Sequence, residues 1–317
     1  MKAVYIETFA PQNNIIIGER PKPTPGDDEV CIAVEYAGVN PADGKIAEGL
    51  FQKRVPAQFP LILGWEASGT IHSLGKNVTT FKVGDKVYTY CRKKILHEGT
   101  WAEFVTSPVA YVSLKPKNVS MEVAGAIPLV GLTAWQALFD KAHLKAGEKV
   151  LIHGGGGGVG SFAIQWAKHC GAYVITTGSA AKQDYIKQLG ADEIIDYNKV
   201  NFVDEIKKKY PTGIDVVFDT LGGTVYKQSF EVLKPGGRIV SLREQPDAEL
   251  SAKYKVQAEY LFVTSNGEQL KEITKLFESG FAKPPKTQVF SIDQVIQAVD
   301  AIRTGHTLGK IVLKVKN

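Results

Sequence analysis

The sequence predicts an α/β protein in which a doubly wound parallel sheet occupies the middle of the chain and β-rich segments on either side build a second domain. Three observations carry that expectation. From Lys149 to Lys168 an apolar strand runs into consecutive glycines and then into a helix-like pattern. Strand and helix candidates alternate from there to about residue 262, whereas residues 1–122 hold short strand candidates punctuated by Gly and Pro.

Met1–Ile6 reads as a first strand, followed by Val30–Ala37, Ala67–Ile71, Phe81–Tyr88 with its Gly84-Asp85 turn, and the alternating Thr100–Val105. Regular spacing and turn chemistry such as Pro25-Gly26-Asp27 suggest a compact barrel-like fold. From about Met121 the pattern changes. A helix rich in Ala and Leu is predicted over Leu132–Lys141, then strands at Val150–Ile152, Tyr173–Thr176, Glu193–Ile195, Val216–Phe218 and Arg238–Ser241. Helices at Gln183–Leu189 and Phe202–Lys209 separate them, and Gly190–Asp192 and Lys234–Gly237 read as turns. Beyond Phe262 come a helix over Glu268–Glu278 with its apolar face at Leu270, Ile273, Leu276 and Phe277, a strand at Val289–Ile292, a helix over Gln294–Arg303 and a strand at Lys310–Leu313. The expected domains are 1–122, 123–262, and a segment 263–317 that completes the first.

Composition excludes several function classes. The 317 residues are 44% apolar and 22% charged, as in an ordinary globular chain, and the net charge of +5 is mild. The dense basic runs Lys207–Lys209 and Arg92–Lys94 read as solvated faces, so no nucleic-acid partner is expected. The uncharged apolar stretch Val123–Phe139 is broken by Gly125, Pro128, Gly131 and Gln136 and is too short to span a bilayer. Met1–Ile6 is not the apolar core of a signal peptide, and a cytoplasmic protein without membrane insertion is expected. Cys31, Cys91 and Cys170 form no C-x-x-C pair. His72, His97, His143, His153, His169 and His306 show no H-x-x-x-H spacing, so no metal site is expected.

Gly155, Gly157 and Gly160 fit G-x-G-x-x-G, with Gly158 and Val159 inside the motif. Glycines at this spacing permit a tight turn and close approach of backbone N–H groups to a pyrophosphate, and the helix that follows offers its positive end. The alternative is a glycine-rich turn or linker without a ligand. NAD-preferring sites place an acid at the end of the second strand to bind the ribose hydroxyls. Here that strand end reads Thr176-Thr177-Gly178-Ser179-Ala180-Ala181-Lys182, without a carboxylate. Ser179 and Lys182 would welcome a 2′-phosphate through a hydroxyl and a cation, which favours NADPH. Lys182 has the alternative of being an ordinary solvated residue in the first turn of a helix.

The whole chain resembles the medium-chain dehydrogenase/reductase superfamily, in particular its zinc-independent, zeta-crystallin-like quinone oxidoreductase branch. The resemblance rests on Ala37-Gly38-Val39-Asn40-Pro41-Ala42-Asp43, Gly64-Trp65-Glu66-Ala67-Ser68-Gly69, Val83-Gly84-Asp85-Lys86-Val87, Ile127-Pro128-Leu129-Val130-Gly131-Leu132-Thr133-Ala134, and the glycine run with Gln165 and Lys168. It implies a GroES-like catalytic domain, a Rossmann NADP-binding domain, a homodimer, and hydride transfer from NADPH to a quinone or α,β-unsaturated carbonyl. Asn40 stands where the zinc-dependent relatives place their first cysteine ligand and Trp65 where they place a histidine, leaving Glu66 alone. One carboxylate cannot hold zinc.

Asn40, as an amide donor, and Lys45, as a cation, are the candidate catalytic residues, in the pattern Asn-Pro-x-Asp-x-Lys of enone-reducing relatives; Asp43 joins them as a residue that fixes the loop. For Asn40 and Asp43 the alternative is turn capping, and for Lys45 a solvated position. Ala47 replaces an arginine that many quinone reductases of the branch carry. Thr133, Phe262 and Val263 resemble nicotinamide contacts, although Thr133 has helix packing as its alternative. Tyr197 resembles a third phosphate contact, and Thr177 closes the cofactor set. Tyr90, Phe51 and Trp65 are candidates for an aromatic wall, although for each taken alone a place in the core is the better reading. Two rival readings are an NADPH-binding protein with little turnover and a zinc-dependent alcohol dehydrogenase.

Overall fold

The computed structural model describes residues 1–10, 14–305 and 307–316; His306, counted among the histidines above, lies outside the described residues. The chain divides into two compact units, Met1–Leu129 with Thr264–Asn317, and Val130–Val263. The first unit contributes strands β1 (Lys2–Ile6), β2 (Ile16–Glu19), β3 (Glu29–Val39), β4 (Leu61–Ile62), β5 (Glu66–Leu74), β6 (Lys86–Tyr90), β7 (Phe104–Pro108) and β8 (Val112–Leu114). The second holds β9 (Lys149–Ile152), β10 (Tyr173–Thr177), β11 (Glu193–Ile195), β12 (Ile214–Asp219), β13 (Leu233–Ser241) and β14 (Gln257–Tyr260). The chain then returns to the first unit with β15 (Thr287–Ser291) and β16 (Lys310–Lys314).

In the first unit the long strand β3 is the spine. Most of its apolar residues are buried, and it pairs antiparallel with β5, β7 and β16. The larger sheet runs β15-β16-β3-β5-β6-β8, and a three-stranded sheet β2-β1-β4 accompanies it. Helix Met121–Gly125 belongs to this unit, since a side chain at Gly125 would stand 2.9 Å from Tyr36 O. The unit therefore runs past residue 122. Two strand expectations are shortened. Phe81–Asp85 is a turn, with Gly84 at φ +93° and the Asp85 carboxylate accepting from the Lys82 N–H at 2.9 Å, so β6 begins only at Lys86. Thr100–Glu103 contributes one isolated bridge, Ala3 with Ala102, ahead of β7.

The second unit is a six-stranded, all-parallel sheet in the order β11-β10-β9-β12-β13-β14. Counted from β9 this is 3-2-1-4-5-6, the order in which two mononucleotide-binding halves meet at the first strand. Leu151, Ile175, Val217 and Ile239 of four neighbouring strands, with Ile206 and Phe230 from outside the sheet, build one core. Each such side chain contributes about 1.5–3 kcal/mol by leaving water. The helix expected over Leu132–Lys141 is instead an α-helix, Pro128–Trp135, followed by a π-helical segment, Gln136–Lys141. Lys234–Gly237 is not a free turn. It is an irregular part of β13, where the pairing register with β12 shifts and Gly236 takes φ +79°.

Candidate functional site

In the second unit the site forms at the carboxyl end of β9. The glycine turn is tightened by Gly155 N–H to Thr177 O at 3.1 Å and Gly157 N–H to Gly154 O at 3.0 Å. Two glycines are required by contact. A Cβ on Gly155 would lie 2.3 Å from Thr176 Oγ1, and one on Gly160 would lie 2.2 Å from Gly154 O. At Gly157 a Cβ would meet only Gly154 O, at 3.4 Å, so neighbouring atoms do not impose glycine there. Helix Gly158–His169 follows, and its first intrahelical bond is Ser161 N–H to Gly157 O at 3.0 Å. The N–H groups of Gly158, Val159 and Gly160 precede that bond and offer the helix's positive end to an anion. A dinucleotide's pyrophosphate fits this turn: the helix start offers three N–H groups to it, and no neighbouring atom imposes glycine at Gly157.

Thr177 has a more structural position than a surface contact. It is buried, and its hydroxyl accepts from Gly154 N–H at 3.1 Å and lies 3.3 Å from His153 Nδ1. His153 Nε2 is 3.0 Å from Ser229 Oγ, and burial holds the imidazole down to about pKa 4, against the opposing pull of Asp219. His153 is therefore neutral at neutral pH and serves the turn's framework. Sequence reasoning missed it, although a histidine directly before a glycine run was in view.

Ser179 opens a short 3₁₀ turn, Ala180–Lys182, past β10. The aliphatic stem of Lys182 lies over the glycine turn: a Cβ on Gly156 would stand 2.6 Å from Lys182 Cδ. Burial lowers the Lys182 pKa from its ordinary value. Tyr197 is exposed just beyond β11, the strand beside β10. Ser179, Lys182 and Tyr197 therefore follow the carboxyl ends of two adjacent strands. Thr133 is buried on helix Pro128–Trp135, and Phe262 and Val263 follow β14 at the end of the unit.

The first unit gathers a polar cluster in its interior. β3 ends at Val39, and helix Pro41–Ala47 starts directly with Pro41 in its first turn. Asn40 N–H donates to Asp43 Oδ2 at 2.7 Å, so Asp43 holds the helix start. The Asn40 side chain faces two charges: its Nδ2 donates to Glu66 Oε1 at 3.0 Å, and its Oδ1 accepts from Lys310 Nζ at 2.5 Å. Lys310 also reaches Glu66 Oε1 at 2.7 Å and Val39 O at 3.3 Å. Glu66 Oε2 accepts from Leu129 N–H at 2.7 Å. Exposure is 3% for Asn40, 0% for Glu66 and 3% for Lys310. Burial pushes the Asp43 carboxyl up to about 8, against its bond from Asn40 N–H and the nearby Lys310. Lys45 lies half-buried on the same helix.

Lys310 is the member that sequence reading missed. Nearby, a small pocket of about 20 Å³ is lined by Ile46, Leu63, Trp65, Cys91, Arg92 and Ile95 among others. Trp65 stacks on Tyr90 with ring centres 6.4 Å apart. Phe51 is half-buried elsewhere in the unit and is not among the residues that line this pocket.

One unit holds a parallel sheet in this order with a glycine turn, and the other is β-rich with a buried amide and ion pair, features that belong together in nucleotide-dependent oxidoreductases. Residues 26–117 match the alcohol dehydrogenase GroES-like domain and residues 189–313 the family described as zinc-binding dehydrogenase. A tomato (Solanum lycopersicum) 2-methylene-furan-3-one reductase is 37% identical over 90% of this chain and 72% of its own length. The chloroplastic NADPH-dependent alkenal/one oxidoreductase of Arabidopsis thaliana is 33% identical over 97% of this chain and 76% of its own. The quinone oxidoreductase of Coxiella burnetii superposes with a TM-score of 0.87 at 32% identity, covering 100% of this chain and 99% of that one. The chain belongs to the medium-chain dehydrogenase/reductase superfamily, in its quinone and enone oxidoreductase branch, and it is an enzyme.

Zinc, which one of the matched family descriptions names, does not suit the donors present. Both oxygens of Glu66 are committed, its neighbours Asn40 and Trp65 are an amide and an indole, and the Lys310 ammonium lies where a second cation would be repelled. Among the described residues no group of three His, Cys, Asp or Glu side chains could hold a metal. No helix among them is long and apolar enough to cross a membrane.

Proposed function

We propose that this enzyme reduces an α,β-unsaturated carbonyl or a quinone with hydride from NADPH. The observation that carries this reading is the Asn40 amide, oriented by an ion pair at the position where zinc-dependent relatives hold a metal ligand. NADPH, when bound, supplies the hydride from its nicotinamide ring. In this reading Gly155, Gly157, Gly158, Val159 and Gly160 hold the pyrophosphate. Ser179, Lys182 and Tyr197 hold the 2′-phosphate, with Thr177 fixing the turn beneath them, and Thr133, Phe262 and Val263 hold the nicotinamide.

Hydride arriving at the β-carbon of an enone, or at a quinone, leaves negative charge on the carbonyl oxygen. An N–H from Asn40 and the Lys45 cation stabilise that charge, and one such donor is worth about 3–4 kcal/mol in the transition state. Asp43 holds the helix that carries both. An acceptor that is already electron-poor needs no metal to polarise it. The unit Met1–Leu129 with Thr264–Asn317 is then the catalytic domain and Val130–Val263 the NADP domain. A homodimer in the cytoplasm completes the reading and rests on the family resemblance.

The test follows NADPH absorbance with a panel of quinones, enones and saturated ketones. Oxidation by the conjugated acceptors and not by the saturated ketones is expected. Tight NADPH binding without oxidation across the panel would leave a binding protein and refute the proposal.

A further inference from the structure

The amide of Asn40 has two orientations that differ by exchange of its oxygen and nitrogen, and its surroundings admit one. Lys310 can only donate and the Glu66 carboxylate can only accept. The observed orientation puts Oδ1 on the ammonium at 2.5 Å and Nδ2 on the carboxylate at 3.0 Å. The flipped form would set NH₂ against NH₃⁺ and an oxygen against a carboxylate. One Nδ2 hydrogen is committed to Glu66, and the second makes no hydrogen bond among the described residues.

Lys310 is held for this position by the fold. It opens β16, whose next residue, Ile311, pairs with Val39 at the end of β3. That register sets the amine beside Asn40, 270 residues away in the sequence. Gly309 before it has φ +74°, and a Cβ there would lie 2.2 Å from Lys286 O, so the backbone that presents Lys310 is itself tightly fixed. All three ammonium hydrogens have acceptors, on Val39, Asn40 and Glu66.

We infer that Lys310 is a positioning residue for the reduction: clamped against Glu66, its ammonium fixes the Asn40 amide so that the uncommitted N–H is presented to the acceptor's oxygen. The inference rests on the reading of Asn40 as the carbonyl donor. Lys310 itself touches no substrate. Its contribution is orientation, and misplacing a reacting donor by about 1 Å costs on the order of 10²-fold in rate.

The experiment is a double-mutant cycle on the full-length enzyme, with Asn40→Ala, Lys310→Met and their combination, read as kcat, acceptor KM and NADPH dissociation constant. Lys310→Met leaves the Glu66 carboxylate buried without its counter-ion. The cycle is therefore repeated with Glu66→Gln/Lys310→Met, which removes the pair together and keeps the interior neutral. Lys310→Met should lower kcat by about 10²-fold with the NADPH dissociation constant unchanged. Combined with Asn40→Ala it should be no slower than Asn40→Ala alone, because both changes remove one function. Losses that multiply in both cycles would show that Lys310 acts independently of Asn40 and would overturn the inference while leaving Asn40 as donor. An Asn40→Ala enzyme as fast as the parent would remove the donor reading, and the inference with it.

Discussion

Gly157 and Gly160 belong to one motif, yet the structure assigns them different reasons for being glycine, and a pair of alanine substitutions separates these. A Cβ on Gly160 would stand 2.2 Å from Gly154 O and 2.8 Å from both Gly154 C and Gly155 Cα. All three are backbone atoms, so the helix must lift from the turn. Overpacking of this kind costs about 1–3 kcal/mol, or roughly 4–12 °C in Tm for a unit of this size. Gly157 has φ −89° and ψ 176°, extended backbone open to alanine, and its added Cβ would touch only Gly154 O at 3.4 Å. Replacing glycine at this helix N-cap costs about 0.5 kcal/mol, so Gly157→Ala should melt within about 2 °C of the parent. In the proposed cradle its Cβ would instead stand where a phosphate approaches the backbone. Losing one charge-assisted hydrogen bond of about 1.5–3 kcal/mol weakens NADPH by roughly 10- to 150-fold. Fluorescence titration with NADPH and differential scanning fluorimetry read the two effects. Gly157→Ala binding NADPH as tightly as the parent would refute the cradle, and Gly160→Ala melting like the parent would refute the packing argument.

Three further outcomes are expected. Lys182→Glu places a carboxylate beside the glycine turn, where the lysine stem now lies over Gly156, and should weaken NADPH at least tenfold more than NADH, by about 1.4 kcal/mol or more; equal losses in titrations of the two cofactors would count against a 2′-phosphate site. His153 is held down to about 4 by burial, below the 6.5 of a free imidazole. The unfolded chain takes up that proton first, so stability present above pH 6.5 falls by up to about 3 kcal/mol as pH drops to about 4. Urea unfolding of the parent and His153→Gln should show a flatter acid limb for the variant, and parallel curves would exclude the buried neutral imidazole. Asp43 has the opposite sign: burial raises it from 3.8 to about 8, so the folded state keeps a proton that the unfolded chain releases, and its contribution to stability is lost as pH rises between those values. Asp43→Asn should therefore gain on the parent by at most about 1.4 kcal/mol per pH unit from pH 4 to 8, and a difference in unfolding energy that does not change with pH would rule this out.

What was legible in the sequence was what is decided locally. The glycine turn is visible because backbone approach demands glycine at fixed offsets, and the alternation of strands and helices around it follows from side-chain periodicity. Asn40 and Asp43 were legible as residues that cap and hold a turn, and the structure makes that turn the start of helix Pro41–Ala47. Lys310 was not. A lysine opening Lys310-Ile311-Val312-Leu313 looks like a solvated strand end, and only the pairing of β16 with β3 buries it. The same reason hid β14, whose Gln257-Ala258-Glu259-Tyr260 lacks an apolar run because it is an edge strand paired on one side, with β13. The Gly84-Asp85 turn was legible for a local reason, and the strand it runs into begins at Lys86.

The charge balance around Asn40 explains why the cluster tolerates burial. Asp43, Glu66 and Lys310 offer two carboxyls and one ammonium to an interior almost without solvent. With Asp43 pushed up to about 8, it stays protonated at neutral pH, and the remaining Glu66 and Lys310 compensate one to one. Every acceptor on Glu66 and every donor on Lys310 is directed inward, to Asn40, Leu129 or Val39. A buried ion pair of this kind adds little net stability over a well-packed apolar pair, because desolvation offsets the attraction. Stability alone therefore gives no reason to keep lysine at 310. Holding a neutral amide in one of its two orientations does, and it leaves Asn40 one N–H beyond the bond to Glu66.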